Sequence, residues 1–237
     1  MRLWWWKVWH PDQPNVQFFD NVEWNEPLKR HIVQNKALLR MLRQGENVER
    51  ILLVRHPAIR FWSAWNQKFL KEPEQKIGLY ICQGTGLNEE CKKSQKDDTR
   101  THLVKFSSFA NEFATSNCKT SMGDCNALNV WNEHWAVQSQ MCQVCGTNFT
   151  MIFKAETLNY DMKFLNQKHT ILNKTDFGCT AAAPNGTLKS DESGFDLIKR
   201  VYADVSVETR KAIYEFYEDD FRLFGYEWNI TNNDIEY

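Results

Sequence analysis

Residues 51–69 read ILLVRHPAIRFWSAWNQKF, and the fold is decided there. Ile51 to Val54 is a short apolar run closed by the polar junction Arg55-His56. Such a run predicts a buried strand of a parallel sheet. Pro57 then fits the first position of a helix, where the missing N–H would have no partner in any case. A strand running directly into a helix start makes an anion site, because free N–H groups and the positive end of the helix dipole converge there. Arg55, Arg60 and Ser63 add two guanidinium forks and a hydroxyl around that point. Arg60 and Ser63 are three apart and share one helix face. The same pattern also fits a plain buried strand and amphipathic helix whose arginines only form ion pairs.

Working outward, 237 residues suffice for one large domain or two small ones. A hydrophobic content of 42%, with 15 Phe and 10 Trp, supports a sizeable aromatic core. The net charge of −1 argues against a dedicated nucleic-acid binder. Charge is uneven, however. Residues 1–71 carry 12 Lys+Arg against 6 Asp+Glu, and the remainder carry 17 against 24. The basic part therefore holds the anion motif, as a polyanionic ligand would require. Seven cysteines and four N-x-S/T sequons, at Asn148, Asn173, Asn185 and Asn229, point to the secretory pathway. Asn148 is expected to open a buried strand and to be unused. The aromatic MRLWWWKVW at the start is too short and too charged to span a membrane.

Local patterns predict further elements. Residues 1–9 read as a helix piece, 10–26 as loop and Pro27 to Arg43 as a helix. Lys71 to Thr99 is a polar segment with a GTG turn; its Cys82 and Cys91 are one candidate pair to close a small loop, and sequence leaves the connectivity open. Residues 101–116 predict a helix with Leu103, Phe106, Phe109, Ala110 and Phe113 inward. Cys142 and Cys145 form a C-x-x-C without a second such pair, so structural disulfides are expected there and no metal. Asn148 to Ala155 reads as a second strand, followed by a helix to Lys168 with Leu158, Met162 and Leu165 on one face. Residues 169–195 read as a surface insertion. Val207 to Arg222 forms the last helix, with Ser206 as N-cap. Asp219 and Asp220 read as solvent or ion-pair residues, and Phe216, Phe221, Phe224 and Tyr226 as packing.

Three separated blocks carry a family resemblance. R-x-P-x-x-R-x-x-S-A-W-x-x-K-F, from Arg55, resembles the 3′-phosphate motif of the Golgi carbohydrate sulfotransferases, closest to the chondroitin and dermatan 4-O-sulfotransferase group. NEHWAVQSQMCQVCGTNFTMIFKAETL, residues 132–158, and YEDDFRLFGY, ending at Tyr226, resemble two later blocks of that family. The resemblance implies a single α/β domain over residues 1–237, with a parallel sheet flanked by helices and related to the nucleotide kinases. It implies 3′-phosphoadenosine 5′-phosphosulfate as co-substrate, no metal, and transfer of a sulfuryl group to a glycan hydroxyl. Arg55 and Ser63 would hold the 3′-phosphate, with His56 and Arg60 beside them. The family places a His or Glu base between its two phosphate motifs. His31 is that candidate here, with His10, Glu23 and Glu26 as rivals. His134 and Trp135 would line the acceptor groove or simply pack together, and Glu156 is a candidate acceptor contact.

The family's 5′-phosphosulfate loop, P-K-x-G-x-T-x-W, has no counterpart in this sequence. The chain is therefore expected to be N-terminally incomplete, lacking both that loop and a type II signal-anchor to the Golgi membrane, and inactive as it stands for want of donors around the sulfate-bearing phosphate. The acceptor is left open among chondroitin, dermatan, N-acetylgalactosamine and glucuronyl glycans. A different class also stays open: a non-catalytic secretory glycoprotein that retains nucleotide-phosphate or glycan binding.

Overall fold

Strand β1 is Ile51–Val54, and it pairs in parallel with β2, Met151–Lys154. The register sets Ile51 opposite Met151 and Val54 opposite Lys154. In this computed structural model the described residues are 50–71, 76–97, 99, 101–116, 134–142, 144–168 and 194–228. The pair is fastened at both ends. Buried Arg50 donates through its backbone N–H to Thr150 Oγ1 and through Nε to the Asn148 carbonyl, at 2.9 and 2.5 Å. At the other end Ala155 N–H donates to the Val54 carbonyl. Parallel strands leave room for a long crossover, and here it carries most of the helices.

Helix α1 is Pro57–Lys68, α2 Lys76–Gln83, α3 Asn88–Lys96, α4 Phe106–Thr115 and α5 Gln138–Met141. After a 3₁₀ turn at Val144–Gly146 and β2 come α6, Leu158–Lys168, α7, Gly194–Tyr202, and α8, Val207–Phe224. Helices around a parallel strand pair make the fold α/β, as expected. Helix α1 is buried nearly all round over its first turns, from Pro57 to Trp62. Its Phe61 stacks on Phe109 and meets Phe113, Phe106 and Tyr217, with ring centroids between 4.8 and 6.2 Å. That aromatic knot joins α1, α4 and α8 into one core. A smaller cluster of Leu52, Val54 and Phe224 seats β1 on the end of α8.

The inward set Leu103, Phe106, Phe109, Ala110 and Phe113 is buried throughout. Helix α4 begins at Phe106 rather than 101, because Leu103 N–H donates to the Phe69 carbonyl and Leu70 bridges His102 in extended backbone. The polar segment after Lys71 folds into α2 and α3. A disulfide between Cys82 and Cys91, both 2% exposed, ties the two helices together. Gly78 of α2 lies against the end of α1, where a Cβ would stand 2.3 Å from the Lys68 carbonyl oxygen, so only glycine fits. Helix α7 was not expected; Leu197, Ile198 and Tyr202 bury one face of it against α1.

Ser206 caps α8 as anticipated, accepting the Thr209 N–H at 3.1 Å. Cys142 and Cys145 are free thiols, contrary to the expected disulfides. Cys142 is half-buried against the Leu52 cluster and Cys145 is exposed on the 3₁₀ turn, so the two sit in different surroundings. Asn148 is exposed ahead of β2 rather than within a buried strand. The elements expected before residue 50, and those between 170 and 193, lie outside the described residues.

Candidate functional site

The C-terminal ends of β1 and β2 lie side by side, and in open α/β sheets this is where ligands bind. Arg55 follows β1 directly. Its Nη1 donates to Ser63 Oγ at 3.3 Å, so the two residues that sequence singled out are brought together, one turn and a half into α1. Burial pulls Arg55 below the ordinary arginine value, while the Glu156 carboxylate and Tyr226 act against that pull. The guanidinium stays charged, since arginine's ordinary value lies far above neutral pH.

The helix start itself is not open in the way the sequence suggested. His56 is the N-cap of α1 and makes no capping bond with its side chain. Glu156, at the end of β2, supplies the missing acceptor: its Oε1 takes the His56 N–H at 2.8 Å, and its Oε2 takes the Tyr226 hydroxyl at 2.8 Å. A carboxylate of the protein thus sits against the positive end of the helix dipole. Lys154 stands over the Tyr226 ring at 4.4 Å and donates to the Gly225 carbonyl, completing a rim of Lys154, Glu156 and Tyr226 beside Arg55. Burial and then Glu156 raise the Tyr226 hydroxyl well above its usual value, which keeps it a donor.

His56 and Arg60 point elsewhere. Both are 4% exposed. His56 Nε2 donates to the Glu227 carbonyl at 3.1 Å, and its ring meets Phe221 and Tyr226 edge-on. Arg60 Nη1 donates to the Ala136 carbonyl at 2.5 Å. Burial lowers the value of each from its ordinary one. Their visible work is to hold chain segments around the junction. His31, the candidate base, with Glu23 and Glu26, lies outside the described residues.

The segment 134–139 wedges between α1 and α8. Besides Arg60, Tyr217 holds it by donating to the Trp135 carbonyl at 2.5 Å. Asp220 takes the N–H groups of Gln138 and Ser139, both at 2.7 Å. Asp220 is 1% exposed, so it is a buried anchor of α5 rather than a solvent residue, whereas Asp219 does pair with Arg222 on the surface. Gln138 Oε1 in turn accepts the Arg55 N–H at 3.2 Å. Sequence reading missed Gln138, since one polar residue in a short helix carries no local signal. Trp135 is fully buried, and its ring lies 6.2 Å from the tilted ring of His134, which favours packing over groove lining for Trp135. Among the described residues no cluster of three or more His, Cys, Asp or Glu could hold a metal ion.

A parallel strand that delivers Arg55 to a helix-borne Ser63 is the arrangement expected of the sulfotransferases, and the sequence comparison agrees. The chain belongs to the sulfotransferase family, whose sequence model matches residues 9–227. It is 24% identical over 181 residues to carbohydrate sulfotransferase 11 of Mus musculus, covering 75% of this chain and 46% of that one. It is 26% identical over 184 residues to carbohydrate sulfotransferase 12 of Xenopus laevis, covering 75% and 40%. It is 20% identical over 177 residues to carbohydrate sulfotransferase 10 of Danio rerio, covering 75% and 46%. The chain therefore spans about half the length of these relatives. No solved structure matches it.

Proposed function

We propose that this chain is the nucleotide-binding part of a carbohydrate O-sulfotransferase that uses 3′-phosphoadenosine 5′-phosphosulfate. The observation that carries the reading is the Arg55–Ser63 pair at the C-terminal end of β1, within a family match over residues 9–227. Arg55 and Ser63 hold the 3′-phosphate by charge-assisted hydrogen bonds. Arg60 and His56 shape the junction from behind. In the reaction the glycan hydroxyl attacks sulfur in line: an oxygen–sulfur bond forms to the sugar and the bond from sulfur to the 5′-phosphate breaks. Adenosine 3′,5′-bisphosphate leaves, and a base, for which His31 is the candidate, takes the hydroxyl proton. No metal takes part. The acceptor is a glycan, consistent with the names of the relatives, and the work is done in the Golgi lumen. The Cys82–Cys91 disulfide and the exposed sequon at Asn148 suit that compartment. No described helix is long and apolar enough to cross a membrane. One sulfotransferase domain spans the chain.

Calorimetry with adenosine 3′,5′-bisphosphate tests this on the full chain. Wild type should bind, and Arg55→Ala should weaken binding by about ten- to a hundredfold, the value of a lost charge-assisted contact. Equal affinity in both proteins would overturn the assignment of Arg55. Binding without sulfuryl transfer is the outcome expected of this sequence, which has no counterpart of the 5′-phosphosulfate loop; transfer to no glycan by a form that carries such a loop would favour a binding protein that does no chemistry.

A further inference from the structure

Gln138 is 0% exposed, yet its side chain is only half used. Its Oε1 accepts the Arg55 N–H, while its Nε2 has no hydrogen-bond partner among the described residues. A buried amide left with unmet donors costs stability, and a methionine of similar shape would avoid that cost. Core packing therefore does not explain a glutamine here. Its geometry does. The Gln138 N–H is fixed by Asp220, which lies on α8, and the neighbouring Ala136 carbonyl is fixed by Arg60, which lies on α1. Gln138 is thus a rigid strut between two helices, and the group it touches is the backbone of the residue that carries the guanidinium.

We infer that Gln138 is a positioning residue of the anion site: held by Asp220, it fixes the backbone of Arg55 so that the guanidinium stays at Ser63. This rests on the reading of Arg55 as a phosphate ligand. The strut acts before any ligand arrives. Without it the Arg55 N–H loses its acceptor, the turn from β1 into α1 gains freedom, and Arg55 must be ordered at the cost of binding energy.

The test is a double-mutant cycle read by calorimetry with adenosine 3′,5′-bisphosphate, with melting curves on every protein. Gln138→Met should melt at or near the wild-type temperature and bind about five- to tenfold more weakly, one neutral hydrogen bond's worth. In an Arg55→Ala background the same change should have almost no effect, because the strut then has nothing to position. A merely structural role would give additive losses, and additivity overturns the inference. Full affinity in Gln138→Met beside a weakened Arg55→Ala also overturns it and leaves the phosphate site standing. An Arg55→Ala protein that binds like wild type removes the phosphate site instead. If Gln138→Met does not fold, Gln138→Leu is measured in its place. Failure of both to fold would mean that Gln138 serves stability, contrary to the argument.

Discussion

Glu156 shows how a single residue changes the meaning of a motif. From sequence, the α1 start was an open positive terminus waiting for an anion. In the fold that terminus already faces a carboxylate from β2, with Arg55 beside Ser63 next to it. The Arg55–Ser63 partnership was legible because both residues lie in one local stretch. The roles of Glu156, Gln138 and Asp220 were not, because each acts on a residue about 80 to 100 positions away. Histidines show the same residue-scale logic in their protonation. Burial lowers His56, His102 and His134 from the usual imidazole value, His134 to about 4. An unfolded histidine takes its proton near pH 6.5. Between there and about 4 the unfolded chain binds more protons than the folded one, so stability falls as pH falls through that window. Urea unfolding should show a lower midpoint at pH 5 than at pH 7.5, and His134→Gln should flatten the difference. A midpoint that holds or rises at pH 5 would show that these histidines are not kept neutral by the fold.

Among the elements, α8 does the most for the site. Its Asp220 anchors α5, its Tyr217 holds the Trp135 carbonyl, and its end delivers Tyr226 to Glu156. That delivery depends on Gly225, which closes the helix in the left-handed region at φ 59°, with the Tyr226 N–H donating to the Phe221 carbonyl. A Cβ at Gly225 would meet nothing closer than Lys154 Nζ at 3.9 Å, so alanine there brings backbone strain without a clash. Gly225→Ala should cost about 1–2 kcal/mol in chemical denaturation. A cost near zero would mean the turn relaxes to a right-handed conformation without loss. Helices α4 and α8 were readable from their apolar spacing and from Ser206. Helices α2 and α3 were not, because α2 is only eight residues long, α3 is polar, and their burial is concentrated on Ile81, Cys82, Leu87, Cys91 and Ser94. Local pattern cannot register a helix pair whose stability comes from a covalent tie.

At the scale of the molecule, the strand pair carries the site and the aromatic core holds it in place, with the α2–α3 pair on the far flank of α1. The fold class followed from one strand–helix junction, since a parallel strand needs helices to cover it. Where the flank attaches is tertiary information: Gly78 against the Lys68 carbonyl, and Ile81 and Leu87 in the same core as Phe61. The Cys82–Cys91 disulfide spans a sequence separation of 9. Closing so short a loop removes about 2.7 kcal/mol of chain entropy from the unfolded state. The double variant Cys82→Ala, Cys91→Ala adds two small cavities to that loss, because both sulfurs are buried. It should melt several degrees lower than wild type, at about 2–4 °C per kcal/mol for a chain of this size. The site lies at the other end of α1, held by α5, α8 and β2, so affinity for adenosine 3′,5′-bisphosphate should be unchanged at temperatures where both proteins are folded. A parallel loss of affinity would show that the flank and the anion site are one cooperative unit, with the strain of one transmitted along α1 to Ser63 and Arg55.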